Sequence, residues 1–97
     1  MSQASELLNT LNKMGFKYEH YPEKSLIKVE GHGFIPLPMF IPMVVFHQGN
    51  KKRIELMSLG DELAITIRDY EGGGIADFKL PKNWKVKFGV HHIEIYY

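Results

Sequence analysis

Five histidines are spread along the 97-residue chain, at positions 20, 32, 47, 91 and 92. His92 and Glu94 lie two apart in a stretch of strand-like alternation, so they share a face and form a feasible chelating pair for zinc, nickel or manganese. His91 points to the opposite face. A third ligand would have to come from His20, His32 or His47, all distant in sequence. Without a local triad, the expectation is a solvent-facing His–Glu pair, with no bound metal and no cofactor.

The glycine run Gly72, Gly73, Gly74 could bring backbone N–H groups close to a phosphate. Arg53 and Arg68, with Lys51 and Lys52, would supply charge, and Tyr70 would flank the loop. Phosphate-cradling loops place a lysine or a helix start directly after the glycines, whereas here Ile75, Ala76, Asp77 and Phe78 alternate like a strand and include an acid. A small anionic, nucleotide-like ligand at Arg53, Arg68, Tyr70, Gly72, Gly73 and Gly74, sequestered by a homo-oligomer, is therefore carried as an alternative.

Nucleophilic catalysis has little to draw on. The chain has no cysteine, and Ser2, Ser5, Ser25 and Ser58 lack the glycine context of a nucleophile elbow. Asp61, Glu62, Asp69, Glu71 and Asp77 fall at turns or strand ends, where carboxylates are ordinarily solvated. A non-enzymatic protein is expected. Lys79, Lys82, Lys85 and Lys87, with the basic turn at 51–53, suggest weak nucleic-acid binding. Against that stand a net charge of only +1, two arginines in all, and a Trp84 that alternates away from the Lys85/Lys87 face.

The strongest positive signal is apolar. Every residue from 34 to 46 is hydrophobic or proline. Read with a period of two, Ile35, Leu37, Met39, Ile41, Met43 and Val45 form an aliphatic and thioether face. Phe34, Pro36, Pro38, Phe40, Pro42, Val44 and Phe46 form an aromatic and proline face. The prolines delete N–H donors along one edge, which reads as an edge strand blocked on its outer side. Fully extended at ~3.3 Å per residue the segment would span roughly 43 Å, so it must bend.

The remaining elements position these groups. Leu7, Leu8, Leu11 and Met14 give residues 2–14 the stripe of a helix laid on a sheet, with Ser2 or Ser5 as cap and Gly15 as stop. Residues 16–21 and 26–30 read as a hairpin in which Phe16 and Tyr18 meet Leu26 and Ile27 or Val29. A two-residue turn at Gly49 and Asn50 would set Val45 opposite Ile54 and Met43 opposite Leu56 as core, and Phe46 opposite Arg53 and Val44 opposite Glu55 on the other face. Leu63, Ile65 and Ile67, then Ala76, Phe78 and Leu80, then Trp84, Val86, Phe88 and Val90 alternate inward. A parity change to Ile93 and Ile95 implies a turn or bulge at 89–92.

These patterns describe a single domain over 1–97 of α+β class: one N-terminal helix packed on a strongly twisted antiparallel sheet or partly open small barrel, with six to eight strands. No secretory signal is legible, and 34–46 is too short and proline-rich to span a bilayer, so no membrane partner and a cytoplasmic location are expected. The expected function is a non-enzymatic, inhibitor-type protein-interaction module, homo-oligomeric, acting through Phe34, Pro36, Pro38, Phe40, Pro42, Val44 and Phe46 on itself and another protein. Small phage and mobile-element accessory proteins are often of this kind, though no residue here carries that association. On this reading Phe40→Asp or Phe46→Asp abolishes partner binding in a pull-down and leaves the circular-dichroism spectrum intact.

Overall fold

A computed structural model of the chain describes residues 2–34 and 43–97. The helix is α1 (Gln3–Lys13), its start capped by the Ser2 hydroxyl, which accepts from the Ser5 N–H. Nine strands follow among the described residues: β1 (Tyr18–Tyr21), β2 (Leu26–Glu30), β3 (His32–Phe34), β4 (Met43–Gln48), β5 (Lys52–Leu59), β6 (Glu62–Asp69), β7 (Gly74–Leu80), β8 (Lys85–Phe88) and β9 (His92–Tyr96). They form two antiparallel sheets, ordered β1-β2-β9-β8 and β3-β4-β5-β6-β7.

The α+β class holds, but the single twisted sheet or partly open barrel does not. The chain leaves the four-stranded sheet at Glu30 and enters the five-stranded one at His32, turning on Gly31 alone. Gly31 adopts φ +150°, and a Cβ there would lie 2.3 Å from the His47 carbonyl oxygen and 2.5 Å from the Phe46 ring. Gly33, paired with Phe46 across β3 and β4, would bring a Cβ to 3.1 Å from the same ring. The two glycines flanking His32 thus form the floor on which Phe46 lies.

The core sits between the sheets. Phe46, Ile54 and Ile67 form one row across β4, β5 and β6, and Leu56 and Ile65 lie in the next; they face Ile27, Val29, Ile93 and Ile95 of the smaller sheet. Leu7 and Leu11 complete it from α1, which runs along β7 with Gln3 near Lys79 and Met14 against Gly74. The helix stripe, the pairing of Tyr18 with Val29, the turn after Leu59 and the inward alternation of β6 and β7 follow the sequence pattern.

Three expectations are corrected. The β4–β5 connection has three residues, because Gln48 pairs with Lys52, so Phe46 opposes Ile54 and Val44 opposes Leu56. A one-residue slip exchanges the faces of a strand. The register adopted gathers the large apolar groups together, whereas the two-residue turn would have set Phe46 over Arg53. Second, β4 lies between β3 and β5 and is not an edge strand. The proline positions 36, 38 and 42 lie outside the described residues. Third, Val90 falls in the β8–β9 connection and is 80% exposed. The parity change expected at 89–92 is that connection itself.

Gly31→Ala is expected to destabilise the protein by ~3 kcal/mol or more in urea denaturation, since both the backbone angle and the space forbid a side chain. Gly49→Ala, at φ +66° in open space, should cost only ~1 kcal/mol. Equal effects at the two sites would mean that Gly31 is not the pivot described.

Candidate functional site

Two surfaces are shaped to receive something, one at the junction of the sheets and one at the outer strand of the smaller sheet. The first is built around Gln48. Its side-chain oxygen accepts from the Lys17 N–H at 2.7 Å, and its amide donates to the carbonyls of Lys17 and Glu30 at 2.9 and 2.8 Å. The end of β4 is thereby stapled to the chain entering β1 and to the end of β2. The Gly31 N–H donates to the His91 carbonyl at 2.9 Å. These bonds border a groove of about 710 Å³ whose lining includes Lys17, Lys28, Lys52, Glu19, Glu30, His32, His91 and His92. Three ammonium groups against two carboxylates leave it nearly balanced while the imidazoles are neutral.

Within the groove the His32 and His91 rings meet edge to face, their Nδ1 atoms 3.3 Å apart. His92 and Glu94 share a face as expected, with Nε2 and Oε1 3.8 Å apart. Among the described residues, no group of three or more potential ligands gathers around one point.

The second surface is β8, the outer strand of the smaller sheet. Across the solvent side of that sheet the paired residues Glu19, Lys28, Glu94 and Lys87 alternate in sign from β1 to β8. Tyrosines reinforce the acidic rungs. Tyr21 donates to Glu19 at 2.6 Å and Tyr96 to Glu94 at 3.1 Å. The hydrogen bond to Glu19 raises the Tyr21 phenol above its usual range. For Tyr96 burial is the larger cause and Glu94 the second. Lys87 lies 5.3 Å over the Tyr96 ring, and no described strand continues the ladder beyond it.

Gly89 donates to the His92 carbonyl at 2.8 Å. From that pair the antiparallel alternation gives Lys87 and Lys85 the bonds to β9 and turns the N–H and C=O of Val86 and Phe88 to the open edge. On the inner side of the same edge, Val86 and Phe88 border an apolar cavity of about 240 Å³, closed by Met43, Val44, Leu56, Ser58 and Leu63. Phe88 is 50% exposed.

The residues expected to bind a partner do not form one face. Phe46 is 1% exposed at the centre of the core, so Phe46→Asp would unfold the protein and report nothing about a surface. Val44 packs against the core and lines the apolar cavity. Phe34 ends β3, and Pro36, Pro38, Phe40 and Pro42 lie outside the described residues.

The expected anion site is partly paired from within. Glu55 takes Arg53 at 3.3 Å and Arg68 at 2.9 Å. Asp69 accepts from the Glu71 N–H and lies 3.6 Å from the Lys52 ammonium. The Gly72 backbone also bonds its carboxylate, and this is the main cause that lowers its pKa below the usual carboxylate value. The glycine loop therefore spends its donors on its own acid, Tyr70 stands out from it half exposed, and Gly73 and Gly74 line neither cavity.

Sequence reasoning missed Gln48, read as a turn residue, and the meeting of His32 with His91. The only signal was the glycine on either side of His32. No protein family, curated protein or solved structure matches the chain.

Because folding lowers the Asp69 pKa, its contribution is fully present above the unfolded carboxylate value of about 3.9 and is lost as pH falls through the lower folded value. Asp69→Asn should therefore reduce stability at neutral pH, and its deficit relative to the natural chain should shrink below about pH 4 in urea titrations. A deficit that is constant from neutral to strongly acid pH would contradict this assignment.

Proposed function

We propose that the protein is a non-enzymatic interaction module of inhibitor or adaptor type that captures an extended acidic segment of another protein along β8. The observation that carries this reading is the unfinished charge ladder. Glu19, Lys28, Glu94 and Lys87 alternate across four strands and stop on a lysine at an edge that no described strand covers. A fifth strand bearing Asp or Glu opposite Lys87 continues the alternation, since opposite charges directly across a sheet stabilise it by ~0.2 to 1 kcal/mol and like charges oppose pairing.

The backbone supplies affinity and the pleat supplies selectivity. Val86 and Phe88 offer their N–H and C=O groups to an incoming strand, as in other cases of strand addition. Acidic residues over Lys85 and Lys87 must alternate with residues facing the core side, where the cavity beside Val86 and Phe88 accepts apolar side chains. Two-fold pairing of β8 with a second copy, centred on Val86 or Lys87 at the middle of the strand, would set Lys87 against Lys85 or Lys87. The charge pattern thus favours a different protein over self-association at this edge.

The test is fluorescence anisotropy with a labelled peptide alternating Glu and Val, beside a scrambled peptide of equal composition and a Lys/Val counterpart. The Glu/Val peptide should bind saturably and the others should not. Lys85→Glu with Lys87→Glu should weaken it at least about tenfold and transfer preference to the Lys/Val peptide. Phe88→Ala should weaken binding without altering the charge preference. Equal binding of scrambled and alternating peptides, or of the acidic peptide to both proteins, would overturn the proposal.

A further inference from the structure

The groove on the other side of Gly31 carries chemistry that strand capture does not use. We propose that His32 and His91 form a two-nitrogen binding site for a divalent transition metal ion of the zinc, nickel or copper type. The assignment stands on geometry and is independent of the β8 reading. A metal bound by imidazole at about 2.0 to 2.1 Å in tetrahedral arrangement holds its two nitrogens about 3.3 to 3.4 Å apart. The Nδ1 atoms of His32 and His91 are 3.3 Å apart, and the rings stand nearly perpendicular at 89°.

The two segments that carry the pair are tied together by backbone. His32 opens β3 directly after the Gly31 pivot, and His91 directly precedes β9. The Gly31 N–H bonded to the His91 carbonyl at 2.9 Å ties the two segments together, so the histidines, 59 positions apart in the chain, meet across the junction of the sheets. Without metal, one Nδ1–H faces the lone pair of the other ring. On binding, that proton moves to Nε2 of its own ring through solvent, and each neutral imidazole presents an Nδ1 lone pair to the ion.

Imidazole nitrogen suits zinc, nickel and copper and does not suit magnesium or calcium. Only these two side chains converge, because no group of three ligands exists among the described residues. Water must fill the remaining positions, so the ion is exchangeable and open to a further ligand from the 710 Å³ groove. Lys17, Lys28 and Lys52 line that groove with Glu19 and Glu30.

The experiment is calorimetric titration of the full chain, purified without chelator or affinity tag, with zinc and nickel chloride, paired with imidazole 15N spectra. Both side chains are exposed, so His32→Ala and His91→Ala should fold normally. Each should weaken binding at least about tenfold, while His20→Ala and His92→Ala leave it unchanged. In the natural chain the Nδ1 resonances of His32 and His91 should shift on zinc addition, a readout that needs no variant. Absence of binding up to about 1 mM metal, binding that survives the double variant, or shifts confined to His92 would overturn the proposal.

Discussion

The structure turns on the seating of the Phe46 ring over the backbone of Gly31 and Gly33. A ring at this point can be buried only if the strand beneath it has no Cβ on that face, and both neighbours that would collide with it are glycine. The requirement fixes where the chain crosses from one sheet to the other. It also fixes the register of β4 against β3 and β5, since Phe46 must face the glycines on one side and Ile54 on the other. Burial of one aromatic side chain is worth ~1.5 to 3 kcal/mol, more than the preference among short turn types. The turn at Gly49 therefore adapts to the packing.

From that crossing two unlike surfaces follow. The strand that supplies the glycine floor sends His32 to the opposite face, because successive side chains alternate, and the one-residue pivot brings it to His91. On the far side of the smaller sheet, β8 ends the charge ladder beside a gap in the core that Val86 and Phe88 only partly close. Exposed cross-strand charges add little to stability. Their value in this arrangement is selectivity, where a wrong charge opposite Lys87 is penalised and a right one is not.

The handling of the arginines explains why charge collects at these places. Arg53 and Arg68 are direct cross-strand partners in β5 and β6, and Glu55, two residues along β5 from Arg53, pairs with both. The side chains of Lys52 and Asp69 pair in the same way, and the glycine loop closes on Asp69. The charged residues that look in sequence like an anion cradle are engaged in internal pairs. The lysine at the end of β8 and the histidines at the pivot, by contrast, face outward.

Period and composition alone specified the helix stripe of Leu7 and Leu11, the alternation of Ile65 and Ile67, the turns after Leu59 and Phe88, and the α+β class. Each of these is set by contacts among residues close in the chain. The division into two sheets, the burial of Phe46 and the pairing of His32 with His91 were decided by tertiary structure. Gln48 became a staple, not a turn residue, for the same reason. Each depends on groups from distant segments sharing one volume, and a linear pattern holds no record of which face of one strand will meet which face of another. The register of β4 shows the limit most plainly. Its local turn signal and its long-range packing disagree by one residue, and packing prevails because it buries the larger area.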